Sequence, residues 1–179
     1  MRNLKLGLWI LILTLIESML GTYIKIGNIM PDLLFVFALC YAAEKNNISS
    51  VIVVSVILGA IADCLGGRIF GNSLAIFLLT AVLVSLIKNN IFKNSILVSL
   101  ILVFVFSIIG KSVYYVTNIS VLKDAGYLYS LFRIIIPEAF YNTCASVIFI
   151  PLIKLTLKKR SGLYRWIKQI AKTNSESDF

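Results

Sequence analysis

The chain has 179 residues, 59% of them hydrophobic, with a mean hydropathy of +0.94 and a formal net charge of +9. Soluble domains carry roughly 45–50% apolar residues, so this composition indicates a membrane protein, and spans of about 20 residues each leave no room for a sizeable soluble domain. The lack of any histidine excludes a His general base, a Ser-His-Asp triad and a His/Cys metal site; the positive charge reads as cytoplasmic loop charge and attraction to anionic lipids, not as nucleic-acid binding.

Hydropathy runs broken by polar or Gly/Pro punctuation predict six helices, over 6–24, 31–43, 48–65, 72–87, 95–116 and 134–157. The first follows a basic start, but Glu17 interrupts its apolar run and no A-x-A cleavage site follows, so it is read as an uncleaved helix and not a signal peptide. The second opens on Pro31 and Asp32 and, like the fourth, is short for a full span. Such segments tilt, thin the bilayer locally or sit inside a bundle. The third ends in "LGAIADCLGGRIFGNS", where Ser55, Gly59 and Asp63 recur every four residues. That stripe lets another backbone approach closely, and the stretch from Gly66 to Gly71 reverses the chain. Ser107, Lys111 and Tyr115 share a face of the fifth helix; Glu138, Asn142 and Ser146 share one of the sixth, behind Pro137 and beside Tyr141.

Residues 1–158 therefore form an all-α, polytopic bundle, and 159–179 form a basic tail. In the tail Leu163, Trp166, Ile167 and Ile170 fall at helical spacing, with basic residues mostly on the other side. Two readings stand: an amphipathic helix on the anionic leaflet, or a solvated basic tail. Placing both termini in the cytoplasm puts 12 basic residues inside and 4 outside, with Lys111 within the membrane, as the positive-inside rule prefers. Cys40, Cys64 and Cys144 lie in apolar segments and are expected to be small buried hydrophobes.

In this orientation Glu17, Asp32, Asp63, Lys111 and Glu138 all occupy the outer half of the membrane. A charge facing lipid costs roughly 2.5 kcal/mol or more at mid-depth. One reading has these residues at the interface, with Asp32 capping its helix and Glu138 in a first turn. The other gathers them into one polar cluster, with Glu17 and Lys111 as candidates for ion pairing, serving as a small-molecule pocket or as a docking surface.

Three stretches in this order, "MPDLLFVFALCYA" (30–42), "LGAIADCLGGRIFGNSLAIFLLTAVLVSLIK" (58–88) and "IIIPEAFYNTCASVIFIPLIKL" (134–155), resemble the MreD family of rod shape-determining membrane proteins. The family pattern matches Pro31 and Asp32, Gly59 and Asp63, Gly71, and Pro137 and Asn142 with Tyr141 alongside; Glu17 and Lys111 match no family position. The resemblance implies a non-enzymatic scaffold without a cofactor, in the cell membrane. It would bind MreC and belong to the elongation complex that links cytoplasmic MreB to RodA and a penicillin-binding transpeptidase. It also implies a fold like the S-components of energy-coupling-factor transporters, so the alternative function is a small-molecule, vitamin-type binding subunit. An intramembrane aspartyl protease on Asp32 and Asp63 lacks the G-x-G-D signature and the accompanying asparagines.

Overall fold

The computed structural model describes residues 2–20, 30–45, 47–66, 70–91, 96–117 and 131–157. They form six α-helices: α1 (Arg2–Leu20), α2 (Leu33–Glu44), α3 (Ile48–Gly66), α4 (Asn72–Ile91), α5 (Ile96–Thr117) and α6 (Ile136–Leu157). Among the described residues there is no strand. The polar tail lies outside the described residues, as do the positions of Leu163, Trp166, Ile167 and Ile170.

The expected helices are present, with shifted ends. α1 begins at Arg2 and α4 runs on to Ile91. A π-helical turn, Leu131–Ile135, leads into α6. Pro137 sits in the first turn of α6, directly behind the π-helical turn, and the helical stretch runs unbroken through it. α3 is rich in Val and Ile, residues that favour strands in water. In an apolar surrounding a helix satisfies every backbone group within one segment, and that requirement overrides propensity. Asn47 starts α3 by accepting the Ser49 N–H at its side chain, 3.1 Å.

α2 is the hub. Its 12 residues rise about 18 Å at 1.5 Å each, well short of the roughly 30 Å hydrocarbon core. Every residue from Leu34 to Ala43 is buried. α2 touches all five other helices, which close a ring around it in the order α3, α4, α5, α6, α1. Of the alternatives open to a short apolar segment, the structure shows the one inside the bundle. α3, α5 and the continuous stretch Leu131–Thr156 are long and apolar enough to cross a membrane. α1 is the loosest member of the ring: it buries Leu13 but exposes Leu8, Leu11, Leu15 and Met19.

The predicted stripe on α3 faces inward, with Ser55, Gly59 and Asp63 all buried. The backbone that approaches it is α4. A methyl group on Gly59 would fall 2.5 Å from Leu74 Cα and 3.1 Å from Leu74 N, so only glycine permits this contact. Cys40 is buried as expected, but Cys64 and Cys144 are exposed; each lies on the outward side of its helix, where a thiol is apolar enough to need no cover.

Gly59→Ala should therefore destabilise the purified protein by about 1–3 kcal/mol, the usual cost of overpacking against an unyielding backbone. Ser55→Ala, one turn earlier, should be close to neutral because the buried Ser55 Oγ has no hydrogen-bond partner among the described residues. Unfolding midpoints in a detergent-to-SDS titration distinguish the two; equal midpoints for both variants would contradict the assigned contact.

Candidate functional site

The polar residues divide into three groups. The largest brings together α1, α2, α5 and α6. Asp32 is the N-cap of α2, its Oδ1 accepting the Phe35 N–H at 3.0 Å. Its Oδ2 accepts from Lys111 Nζ of α5 at 3.1 Å. The same ammonium reaches Glu138 Oε1 of α6 at 2.7 Å. Asn142, one turn along α6, presents Oδ1 to the Asp32 N–H at 3.2 Å. Glu17 of α1 accepts the Leu34 N–H at Oε2, 3.0 Å. The first turn of a helix leaves N–H groups without partners, and here three of those at the start of α2 are taken up by Asp32, Asn142 and Glu17.

Of the two candidates for ion pairing, Lys111 forms ion pairs and Glu17 forms none among the described residues. Lys111 pairs with Asp32 and Glu138, and Glu17 is committed to the α2 backbone. The reason is reach: Asp32 and Glu138 lie at helix starts flanking the ammonium, whereas Glu17 meets α2 one residue further in. Pro31 is buried just ahead of the cap, and Pro137 precedes Glu138 in the first turn of α6. Tyr141 is half-buried next to the wholly buried Asn142. Asn142 Nδ2 has no hydrogen-bond partner among the described residues.

Asp63 stands apart from that group. Its Oδ2 accepts the Gly71 N–H at 2.8 Å and the Leu74 N–H at 3.2 Å, and its Oδ1 accepts the Ser73 N–H at 2.9 Å. It thus caps α4 from the end of α3, as a carboxylate stabilises a helix N-terminus. Gly71 has φ +98°, a conformation other residues adopt only with strain, and this carries its N–H to the carboxylate. Gly66 is the exposed last residue of α3. Asp32 and Asp63 share no hydrogen bond, and each has both oxygens engaged; an aspartyl dyad, which needs one proton held between two carboxylates, is not formed.

A third group, at the opposite end of α2, was not anticipated from the sequence. Glu44 Oε1 accepts from Ser99 Oγ at 3.1 Å and pairs with Lys154 Nζ at 3.5 Å, while the buried Lys88 donates to Ser99 Oγ at 2.7 Å. The available signal was that Glu44 directly follows the uncharged run 33–43. Both ends of the hub are therefore held by lysine and carboxylate.

Beside the first group lies a cavity of about 370 Å³ between α1, α2, α3, α4 and α5, lined by Glu17, Asp32 and Lys111 together with Phe35, Phe77 and Tyr114. Among the described residues there is no cluster of Cys, Asp and Glu suited to a metal ion.

A family model described as rod shape-determining protein MreD matches residues 1–160. No curated protein and no solved structure matches the chain.

Asp63→Ala should lower stability by about 2 kcal/mol, combining a lost cap with lost charge-assisted hydrogen bonds. Amide hydrogen exchange should rise at residues 71–74 and stay unchanged at the start of α2. Faster exchange at Leu34 and Phe35 in that variant would show that Asp63 belongs to the Lys111 network after all.

Proposed function

The chain belongs to the MreD family of rod shape-determining membrane proteins, and from that premise we propose that it acts as a non-enzymatic, multi-pass scaffold of the cell-wall elongation complex. On this reading it binds MreC directly and, through it, helps link cytoplasmic MreB to RodA and a penicillin-binding transpeptidase. Both termini lie in the cytoplasm, which puts the Asp32, Lys111 and Glu138 group in the outer half of the membrane and the Glu44, Lys88 and Lys154 group in the inner half. The observation that carries the reading is the family match over the whole bundle. Support comes from the polar residues themselves, whose partners are other parts of the same chain: they hold helices together, as a scaffold requires.

On this reading the face offered to a partner is one that the bundle itself leaves uncovered. Gly59, Asp63 and Asn142 are engaged inside the bundle, so none is left for an outside helix. α3 and α6 do not touch; α1 lies between them. On this reading a membrane helix of MreC packs along α1, against Leu8, Leu11 and Leu15, whose exposure of 52–61% leaves them without a partner in the bundle.

The test is co-purification of tagged MreC with a Leu8→Ala/Leu11→Ala/Leu15→Ala variant. Recovery should fall at least tenfold, while Leu97→Ala/Ile101→Ala/Val105→Ala on the exposed face of α5 retains it. Undiminished recovery with the α1 variant, or loss confined to the α5 variant, would overturn this choice of face.

A further inference from the structure

The geometry points to a binding site for an organic ammonium ion, an amine on a short apolar body, in the cavity beside Glu17. This site stands apart from the scaffold reading and does not depend on it. At about 370 Å³ the cavity is at the small end of the roughly 300–1,000 Å³ typical of ligand pockets. It has the mixed lining of such pockets, aromatic and aliphatic surface with a few charged groups.

The charges decide the sign of the ligand. Glu17, Asp32 and Lys111 are the charged residues in the lining, and Glu138 completes the network at Lys111. Three carboxylates face one ammonium. Lys111 is held by Asp32 and Glu138, and Asp32 has both oxygens engaged. Glu17 differs: Oε2 takes the Leu34 N–H, and Oε1 has no hydrogen-bond partner among the described residues. That oxygen belongs to a cavity-lining carboxyl, and an ammonium N–H is its complement in a charge-assisted hydrogen bond. An anion entering the cavity meets the Glu17 and Asp32 carboxyl groups, and the one cation in the lining, Lys111, is already held by Asp32 and Glu138.

The remaining lining suits the same ligand. Phe35 and Phe77 form a tilted pair with centroids 4.9 Å apart, and ring faces attract cations within about 6 Å. Lys111 Nζ already lies 5.8 Å from the Tyr114 ring centroid, so the cavity wall accommodates one ammonium in this manner. An alkylammonium fits with its nitrogen at Glu17 and its chain along Phe35 and Phe77. The ammonium has two possible sources, a free amphiphilic amine or the aminoethyl headgroup of a phospholipid.

Calorimetric titration of the full-length protein in neutral detergent with hexylammonium chloride tests the site, with hexanoate and hexanol as controls of equal chain length. Hexylammonium should saturate a single site. Glu17→Gln should weaken it at least tenfold, and Ala62→Phe, which fills the cavity without altering charge, should abolish it. Tight binding of hexanoate or hexanol, or undiminished hexylammonium affinity in Ala62→Phe, would overturn the proposal; should Glu17→Gln fail to fold, the Ala62→Phe comparison decides. Repeating the titration in nanodiscs separates the sources. Weaker apparent binding in phosphatidylethanolamine than in phosphatidylcholine identifies the headgroup as the occupant, and equal binding identifies a free amine.

Discussion

The ammonium of Lys111, set 3.1 Å from Asp32 and 2.7 Å from Glu138, is the contact on which the arrangement of the bundle rests. In an apolar surrounding a lone charge is costly, and removing one partner of a buried pair typically costs about 3–5 kcal/mol because the others are left uncompensated. The ammonium thus fixes the starts of α2 and α6 against the end of α5. Asn142 and Glu17 extend the network to the α2 backbone and to α1.

This lock matters because the helix it holds is short. α2 cannot cross a bilayer by itself, and its stability comes from being enclosed on all sides. Apolar burial is non-directional and specifies the position of such a rod along its axis less sharply than paired charges do. Ion pairs at both ends, Asp32 with Lys111 and Glu44 with Lys154, fix its axial position. The α3–α4 pair is held differently, by backbone contact at Gly59 and the Asp63 cap. α1 is tied to α2 by the Glu17 side chain at Leu34, with its outer face available to a partner and its inner face bordering the cavity.

Much of this was legible in the sequence. Apolar run length gave the six helices, and four-residue spacing identified the inward faces of α3 and α6 because a helix repeats nearly every four residues. The polar residues were recognisable by their cost in a membrane. Their partners were not, because pairing depends on which helices are neighbours, and the sequence pattern carries no such information. Hence the pattern groups Asp63 with Asp32, although Asp63 caps the helix that follows it, and it marks a close approach at Gly59 without identifying α4 as the backbone that makes it. The Glu44 group went unnoticed because an acid and two lysines near helix ends look like ordinary interfacial charges. The exposed thiols of Cys64 and Cys144 show the same limit: apolar character marks a residue as fit for burial or for lipid, without choosing between them.

The most direct test of the central lock is a double-mutant cycle on Lys111→Met and Glu138→Gln, read as unfolding free energy in a detergent-to-SDS titration. Each single change should destabilise the protein, and the double variant should cost clearly less than their sum, with a coupling of about 1–3 kcal/mol as expected for groups in direct contact. Additivity within about 0.5 kcal/mol, the behaviour of independent sites, would contradict the lock.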